Sequence, residues 1–489
     1  MNKKYQFWFV IGSQHLYGPE VLKDVAGHGE TMVAGFNADE AVPFEVVGKG
    51  VVTTPDEVTA VMKAANGDDT CAGVITWMHT FSPSKMWITG LGLLNKPYLH
   101  INTQFNRSIP YDSIDMNFMN TNQSAHGDRE HGFITARLRL KRKVICGYWE
   151  DTDMRQRMGS WMRSAVGAVF SRGLKVMRLG DNMRYVAVTE GDKIGAEKVF
   201  GWSVNTFGVG GYAEKVKAVT DAEVDAKVKE YEEKYVIDTD NLGSVKYQAK
   251  LEVALEKMLE DGGFCAYTDT FEDLYDLDQL PGLASQNIMS KGIGFGAEGD
   301  WKTAALEAVM SEMSLGLTKG LSFIEDYTYE LSEEKASVLG AHMLEISPAI
   351  AAEKAKIQVH DLGIGGKDAP ARLVFEGKTG PAILVTIIDM GGRFRMIVHD
   401  VNTIKPEKAM PNLPVASVMW QPEPNMIVGN EAWITCGGTH HSVISYDLTA
   451  EHMKDFAEIM GIECLHIGKN TSIEDLKMKL AMGDVIWSK

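Results

Sequence analysis

The first part of the chain alternates short apolar runs with amphipathic stretches. The apolar runs have the length and composition of buried strands and lie at residues 5–11, 44–47, 72–77 and 97–101. An amphipathic stretch that opens at Pro19 predicts the first helix. The second helix has a clear start, because Thr54 is followed by Pro55 and then by Glu57, which is the pattern of a capping box. This alternation of strands and helices predicts a doubly wound parallel sheet.

The alternation continues through the middle of the chain and then changes character. In the middle, strand-like runs and helical patterns lie at residues 144–149, 174–178, 222–235 and 247–259. Beyond residue 320, strand patterns dominate and lie at 371–375, 382–388 and 393–398, the last two joined by a hairpin-type turn at 389–392. We therefore predict an α/β fold with two doubly wound parallel-sheet domains, at residues 1–174 and 175–320, followed by a β-rich C-terminal domain at 321–489.

Composition narrows the class of protein. The 489 residues carry a net charge of −17 at neutral pH, so the chain would repel the phosphate backbone of a nucleic acid. No apolar stretch approaches the ~20 residues that are needed to span a bilayer. The five cysteines are far apart and form no CxxC pair, which argues against a disulfide framework and a thiolate metal site. We expect a cytoplasmic globular protein that binds neither nucleic acid nor membrane.

Two glutamates lie in surroundings where a lone charge would be costly. Glu298 sits in a glycine-rich run, and Glu325 follows an apolar run. Candidate imidazoles come from His342 and from the adjacent His440 and His441. Two carboxylates and two imidazoles form a mixed oxygen and nitrogen donor set that suits Mn²⁺ or a neighbouring divalent ion. The sequence therefore indicates a divalent metal site.

Each of these residues also has an ordinary structural interpretation. An isolated Glu325 is usually solvated or caps a helix, and His342 on its own is usually a hydrogen-bonded core histidine. In a strand, alternate side chains share a face, so Glu325 and Tyr327 would line one polar pocket. On an extended segment His440 and His441 would point to opposite faces, so at most one of them would bind an ion directly.

The run Gly294-x-Gly296-x-x-Gly299 matches the dinucleotide-binding fingerprint in its glycines. That fingerprint requires a strand just before the first glycine, whereas residues 287–292 make a poor strand, and the charge of Glu298 would oppose a pyrophosphate. We therefore expect no nicotinamide cofactor and interpret the run as a loop that presents Glu298.

Two other segments have side chains that suit a sugar. Residues 14–15 follow the first predicted strand, where an open α/β sheet presents its ligand-contacting loops, although a polar loop over a helix start explains them equally well. Residues 77–81 end another strand with aromatic and polar side chains, a combination that fits the face of a sugar ring.

Longer strings resemble the bacterial L-arabinose isomerase family. They occur in the order expected for that family and lie at residues 8–18, 79–83, 180–184, 296–303, 325–329 and 362–368. The resemblance implies a fucose isomerase-like fold, one Mn²⁺ per subunit, and reversible conversion of L-arabinose to L-ribulose in the first steps of L-arabinose catabolism. It also implies a homo-oligomer, most often a hexamer of two trimers with sites at subunit interfaces. Conversion of D-galactose to D-tagatose is left open.

The resemblance also implies roles for individual positions. The implied metal ligands are Glu298, Glu325, His342 and His441, and the two glutamates form the implied catalytic acid–base pair. The implied substrate-pocket positions are Gln14, Leu16, Phe81, Met183, Phe271, Tyr327 and Ile364, with His126 reaching into a neighbouring subunit's site. The chain departs from the family pattern at Ser442, where a threonine is expected, and near Ile444, where a phenylalanine is expected. Both histidines remain, so the departures concern the shape of the pocket.

The implied reaction can follow two chemical routes. Two other functions remain as alternatives to an isomerase. In the route that we favour, a base removes the C2 proton and a cis-enediol forms, with either glutamate as the base; a hydride shift between C1 and C2 is the alternative. A nicotinamide-dependent oxidoreductase would use the glycine run instead. A sugar-binding protein without catalytic activity would share the α/β domains but would need no cluster of metal ligands.

Overall fold

The computed structural model describes residues 5–363 and 366–487, and its chain divides into two compact units, Met1–Val169 and Phe170–Lys489. The domain boundaries at 174/175 and 320/321 stay predictions. Among the helices in the described ranges, none is both long enough and apolar enough to cross a membrane.

The first unit contains a parallel β-sheet with helices between its strands, as the sequence predicts. Its strands are β1 (Gln6–Gly12), β2 (Glu45–Val52), β3 (Cys71–Met78), β4 (Tyr98–Asn102) and β5 (Lys143–Cys146). Its helices are α1 (Gly18–Asn37), α2 (Pro55–Gly67), α3 (Ile88–Leu93), α4 (Met116–Thr121), α5 (Ser124–Arg137) and α6 (Thr152–Ser171), the last of which runs into the second unit. The strand order is β2-β1-β3-β4-β5, and every pairing is parallel. Continuous apolar runs fit such strands because helices cover both faces of the sheet.

Helix α2 begins where the sequence predicts. The Thr54 hydroxyl accepts a hydrogen bond from the Glu57 backbone N–H at 3.2 Å, and the Glu57 carboxylate accepts one from the Thr54 N–H at 3.2 Å. Pro55 occupies the first helical position, where no N–H is needed. The helix then turns Val58 and Met62 into the apolar core of this unit. The predicted capping box is confirmed.

The second unit contains three sheets. Its strands are β6 (Lys175–Leu179), β7 (Ser203–Phe207), β8 (Val236–Ile237), β9 (Ala266–Thr268), β10 (Gly294–Gly296), β11 (Leu321–Glu330), β12 (Ser337–Ala341), β13 (Lys356–Val359), β14 (Ala371–Val374), β15 (Gly380–Asp389), β16 (Phe394–Ile404), β17 (Ser417–Pro422), β18 (His441–Ser445) and β19 (Glu463–Ile467). Its helices are α7 (Lys193–Phe200), α8 (Val209–Lys217), α9 (Asp221–Lys234), α10 (Leu242–Gly262), α11 (Leu283–Met289), α12 (Trp301–Met313), α13 (Met426–Thr435), α14 (Ala450–Met460) and α15 (Ile473–Ile486).

The first of these sheets is parallel, with the order β10-β9-β6-β7, and it explains the glycine run. A Cβ atom on Gly294 would lie 2.1 Å from the Ala304 carbonyl oxygen, and one on Gly296 would lie 2.2 Å from the Asp300 carbonyl oxygen. Only glycine therefore allows α12 to pack this closely on β10. The strand begins at the first glycine and not before it, so these glycines serve the packing of a helix on a strand.

The second sheet closes into a barrel. Its order is β15-β18-β11-β12-β17-β16-β19, and β16 also pairs with β15, so the antiparallel strands from β15 to β16 form a closed ring while β19 lies parallel to β16. The predicted hairpin joins β15 to β16, where the Met390 N–H donates to the Arg393 carbonyl at 2.8 Å. The third, small sheet has the order β14-β13-β8. The prediction of an α/β fold with a β-rich C-terminal region is confirmed.

Candidate active site

A cavity of about 560 Å³ opens in the second unit, a volume within the usual range for small-molecule sites. Acidic, imidazole, aromatic and thioether groups line it together: Met183, Phe271, Glu272, Glu298, Glu325, Tyr327, His342 and Met343. The cavity joins three loops of the parallel sheet, which follow β6, β9 and β10, to the barrel strand β11 and the segment that follows β12. Residues that are far apart in the sequence therefore meet here.

The register of the barrel strands positions Glu325. It lies on β11, directly opposite Ala341 at the end of β12 and directly opposite His441 at the start of β18. Because His342 follows Ala341, the two strands that flank β11 each bring an imidazole close to Glu325. Phe323, two residues earlier on the same face, packs its ring edge-on against both imidazoles, with centroids 5.2 Å from His342 and 5.1 Å from His441.

The loop between β10 and α12 positions Glu298. Its backbone φ is +62°, a left-handed conformation that is unusual for a side chain of this size. The Glu298 carbonyl accepts from the Met183 N–H at 2.9 Å, and the Gly299 N–H donates to the Asp269 carbonyl at 2.8 Å. A Cβ on Gly299 would lie 2.5 Å from the Cα of Asn182. The surrounding backbone thus holds the Glu298 carboxylate in the cavity wall.

The donor atoms of this cluster face one another across short gaps. The distance from His441 Nε2 to Glu298 Oε2 is 3.8 Å, and the distance from His342 Nε2 to Glu325 Oε2 is also 3.8 Å. His440 Nε2 lies 3.9 Å from Glu298 Oε2 and 4.0 Å from Glu325 Oε1. These distances are too long for direct hydrogen bonds, so the facing atoms remain available to a shared ligand.

One atom of the cluster tests directly whether a cation fits. His441 is fully buried, and its Nε2 has no hydrogen-bond partner among the described residues. A buried polar atom without a partner is costly, and an imidazole nitrogen beside carboxylates is a good donor for a divalent ion. One donor atom each from Glu298, His440 and His441 lies within 4.8 Å of the others. The donor set therefore fits a divalent metal.

Two further carboxylates hold the histidine rings. His342 Nδ1 lies 2.5 Å from Glu345 Oε2, and His441 Nδ1 lies 3.1 Å from Asp300 Oδ2. A carboxylate on Nδ1 favours the tautomer that leaves Nε2 free to bind an ion. Sequence reasoning missed both carboxylates. Their signals are local: Asp300 caps α12 by accepting from Thr303, and Glu345 follows His342 by three positions.

The charges of the cluster shift one another's pKa values. Burial opposes ionisation of Glu298, but the imidazoles of His440, His441 and His342 outweigh burial and lower the pKa of its carboxyl. Burial likewise opposes ionisation of Asp300, and the Lys302 ammonium and His441 hold its pKa below its usual range.

The imidazoles shift in the opposite sense. Burial disfavours protonation of His342, yet the carboxylates of Glu345, Glu325 and Glu298 raise its pKa to about 8. Polar contact with Glu298 raises the pKa of His440 although burial opposes the shift. The cluster thus carries concentrated negative charge, which suits a cation.

The expectation that His440 and His441 point to opposite faces is wrong. Strand β18 begins at His441, and His440 lies in a bend before it, so the alternation of a strand does not apply to the pair. Their ring centroids are 4.4 Å apart, and both Nε2 atoms approach the same oxygen of Glu298. The difference between them is burial, because the His440 side chain is 35% exposed and that of His441 is 0% exposed.

The other positions implied by the resemblance fall into three groups. Met183, Phe271 and Tyr327 line the cavity, and Tyr327 shares it with Glu325. Gln14, Leu16, Phe81 and His126 belong to the first unit, where the rings of Phe81 and His126 stack at 4.3 Å and Leu16 is exposed. Ile364 lies outside the described residues. Glu272 and Met343, which also line the cavity, were not expected from the sequence.

Three protein-family models match successive parts of the chain. They are described as the L-arabinose isomerase N-terminal domain, central domain and C-terminal domain, and they match residues 1–173, 175–316 and 320–463. The lining residues of the cavity lie between positions 183 and 343, and the central and C-terminal models together include all of them.

Curated relatives are similar over nearly their whole length. An L-arabinose isomerase of Anoxybacillus flavithermus is 53% identical over 493 residues, which cover 100% of this chain and 98% of that protein. An L-arabinose isomerase of Geobacillus stearothermophilus is 53% identical over 491 residues, covering 99% of each. One of Thermotoga maritima is 50% identical over 487 residues, covering 99% of this chain and 98% of the relative.

Proposed function

The chain belongs to the L-arabinose isomerase family, and on that premise we propose that it converts L-arabinose to L-ribulose in the cavity of its second unit. One observation carries the proposal: the buried Nε2 of His441 has no partner among the described residues and faces the Glu298 carboxylate at 3.8 Å. Such an atom is explained by a ligand that binds both groups. That ligand would be a divalent cation, which an aldose–ketose isomerase can use in its reaction.

The metal site would consist of Glu298, Glu325, His342 and His441, with one Mn²⁺ per subunit. The bound ion would supply positive charge that polarises the sugar oxygens at C1 and C2 of the open-chain form. The observed donor set supports this assignment, because it contains two carboxylates and two imidazoles whose Nδ1 atoms are already held by Glu345 and Asp300.

The two glutamates would move the protons. One carboxylate takes the proton from C2, the electron pair of the C2–H bond becomes the second bond between C1 and C2, and the C1 carbonyl oxygen takes up a proton. The product of this step is a cis-enediol. In the second step the O2 hydroxyl loses its proton, a carbonyl forms at C2, and C1 receives a proton. Glu298 and Glu325 both line the cavity, so each is within reach of the bound sugar for one of these tasks.

A hydride shift from C2 to C1 is the alternative route, and isotope exchange separates the two. In deuterated water the enediol route exposes the transferred proton to exchange with solvent, so deuterium appears at C1 of L-ribulose. A hydride shift carries the original hydrogen across, so C1 would contain no solvent deuterium. Measurement of the product by NMR or mass spectrometry decides between them.

The experiment that tests the function is a ketose assay with L-arabinose after EDTA treatment, with and without added Mn²⁺. We expect activity to be lost with EDTA and restored with Mn²⁺. Activity that survives complete chelation would remove the metal from the proposal, and absence of any ketose from the Mn²⁺-loaded protein would remove the isomerase function. If the sugar reduces added NAD or NADP, as measured by the change in absorbance of the nicotinamide, the result would instead favour an oxidoreductase.

Further properties are proposed with the same function. D-galactose is the second substrate to assay, with D-tagatose as product. We expect a homohexamer with sites at subunit interfaces, located in the cytoplasm and acting in the first steps of L-arabinose catabolism. The resemblance assigns His126 of the first unit to a neighbouring subunit's site, which supports the expectation that sites lie at subunit interfaces.

A further inference from the structure

Helix α12 carries a buried carboxyl group in an otherwise apolar stretch. Glu307 is 2% exposed, and the residues on either side of it, Leu306 and Ala308, are buried as well. Burial raises the pKa of this carboxyl to about 8, while two backbone N–H groups act against the shift. Burying a carboxyl is costly unless hydrogen bonds compensate for the loss of water. The hydrogen-bond partners of Glu307 therefore determine what an acidic residue contributes at this position.

The two oxygens of Glu307 bind two different strands. Oε2 accepts from the Phe295 N–H of β10 at 2.6 Å, and Oε1 accepts from the Phe323 N–H of β11 at 2.8 Å. Strand β10 belongs to the parallel sheet and β11 to the barrel, and the rings of the two phenylalanines meet edge-on with centroids 5.6 Å apart. A single carboxyl thus ties the parallel sheet to the barrel, and we call this pair of hydrogen bonds the Glu307 bridge.

Strand pairing leaves both of these N–H groups to the bridge. Strand β10 is an edge strand, and the Gly294 N–H donates to the Cys265 carbonyl at 3.0 Å, so the next N–H, that of Phe295, points away from β9. On β11, Phe323 pairs with β18, while the pairing with β12 begins only at Glu325. An apolar side chain in place of the glutamate would leave two buried N–H groups without these acceptors.

Each bridged strand leads directly to a glutamate of the cavity. Glu298 follows Phe295 by three residues, and Glu325 follows Phe323 by two residues, which span about 7 Å in an extended strand. The Phe323 ring also packs edge-on against both buried imidazoles of the cluster. The distance between the two cavity carboxylates therefore depends on the distance between β10 and β11 at the Glu307 bridge.

From these contacts we propose that Glu307 is a positioning residue that sets the spacing between Glu298 and Glu325 for the metal and the sugar. It acts through the backbone of β10 and β11. This inference rests on the proposed function, because the spacing matters only if the two glutamates share a ligand. Metal ligands and catalytic groups tolerate displacements of only a fraction of an ångström, so a small change at the bridge is felt in the cavity. The alternative is that Glu307 only stabilises α12.

The test is Glu307→Gln, which keeps the size of the side chain but replaces one acceptor oxygen by a nitrogen that cannot accept from an N–H. One of the two strands is then released. In calorimetric titration of the metal-free variant with Mn²⁺, we expect the affinity to fall at least about tenfold. At saturating Mn²⁺, kcat and kcat/KM for L-arabinose should fall together by about 10- to 100-fold. Unchanged Mn²⁺ affinity and kcat would overturn the proposal.

Val309→Ala is the matched control, because it shortens a buried side chain of the same helix and keeps both hydrogen bonds of the Glu307 bridge. It should lower the melting temperature but retain the wild-type Mn²⁺ affinity and kcat/KM. An equal loss of Mn²⁺ affinity in Val309→Ala and Glu307→Gln would mean that any loosening of α12 disturbs the site, which also overturns the proposal. A wild type that binds Mn²⁺ but forms no L-ribulose would refute the isomerase function, and the Mn²⁺ affinities would still decide the role of Glu307.

A second measurement does not depend on how well the glutamine variant folds. Hydrogen–deuterium exchange of the metal-free wild type, followed by mass spectrometry of its fragments, reports on the N–H groups of Phe295 and Phe323. Both should exchange as slowly as the core strands, because the bridge exists before the ion binds. In Glu307→Gln at least one of them should exchange faster, while Val309→Ala should match the wild type at both. Exchange in the wild type as fast as at an exposed strand edge would show that the bridge is open in solution and would overturn the proposal.

Discussion

His441 and Asp300 form a buried imidazole–carboxylate pair, with Nδ1 of the ring 3.1 Å from Oδ2 of the carboxylate. The same ring turns its Nε2 toward Glu298. Asp300 also caps α12 and lies 3.2 Å from the Lys302 ammonium. The Asp300 carboxylate thus links the start of α12, which packs on the parallel sheet, to His441, the first residue of the barrel strand β18.

Asp300→Asn should therefore lower metal affinity and activity while the fold persists. The amide has the shape of the carboxylate and can still cap α12, but it lacks the charge that stabilises the imidazole. We expect a loss of roughly 10- to 100-fold in Mn²⁺ affinity, measured by calorimetry, and a lower melting temperature, because the buried Lys302 ammonium loses its carboxylate partner. Asp115→Asn is the matched control, because Asp115 caps α4 without touching a histidine ring in the described structure. Unchanged Mn²⁺ affinity in Asp300→Asn would contradict this role.

The two adjacent histidines should differ in their importance. His441→Ala removes the buried nitrogen that has no other partner among the described residues, whereas His440→Ala removes a partly exposed ring. We expect the Mn²⁺ affinity and kcat of His441→Ala to fall well below those of His440→Ala. Calorimetric titration with Mn²⁺ and a ketose assay measure the two effects. The opposite ranking would identify His440 as the ligand and His441 as its neighbour.

Glu298→Gln and Glu325→Gln should each reduce kcat by several orders of magnitude. Each substitution removes a proposed metal ligand and a proposed proton carrier together, so both effects act on the same step. Glu272→Gln is the control, because Glu272 lines the same cavity but faces none of the imidazoles within ion-pair distance in the described ranges. A glutamine variant within tenfold of the wild type would remove that glutamate from the catalytic pair.

Local patterns in the sequence predicted the elements but not how they meet. The capping box at Thr54 and the hairpin before Arg393 depend on neighbouring residues, so both are visible in the sequence. The register that sets Glu325 opposite His441 joins strands that are far apart in the chain, and no local pattern encodes it. The residue types at Glu298, Glu325, His342 and the adjacent histidines indicated a metal site, and the family resemblance selected His441 from the histidine pair.

Glu298 shows a second limit of sequence reasoning. Its left-handed backbone is held by two hydrogen bonds to other loops of the unit: the Glu298 carbonyl accepts from the Met183 N–H, and the N–H of the next residue, Gly299, donates to the Asp269 carbonyl. The glycines around it suggested an unusual turn, but their spacing equally matched a dinucleotide fingerprint. Only the three-dimensional packing of α12 on β10 shows why Gly294 and Gly296 are required.

Gly294→Ala should destabilise the second unit strongly. The added methyl group would lie 2.1 Å from the Ala304 carbonyl oxygen, so α12 would have to move away from β10. We expect the free energy of unfolding to fall by about 3 kcal/mol or more. Gly92→Ala on α3 is the matched control, since nothing lies within 4 Å of its added Cβ, and it should be neutral or stabilising by about 0.5–1 kcal/mol. Urea unfolding measures both, and equal stability of the two variants would contradict the packing argument.

Glu307 of α12 should make stability depend on pH. Its buried carboxyl accepts hydrogen bonds from the backbone N–H groups of Phe295 at 2.6 Å and Phe323 at 2.8 Å. Burial nevertheless dominates and raises its pKa from 4.5 to about 8. Because the folded state then holds a proton that the unfolded state has released, stability is greatest below pH 4.5 and falls as the pH rises toward 8.

The contribution of this one group has a slope of at most about 1.4 kcal/mol per pH unit. Glu307→Gln cannot titrate, so its stability relative to the wild type should improve steadily between pH 5 and pH 8, as measured by urea unfolding at several pH values. Glu260→Gln, at an exposed position on α10, should follow the wild type over the same range. A stability difference between Glu307→Gln and the wild type that stays constant with pH would show that the carboxyl is already ionised in the folded protein, held so by the two backbone N–H groups.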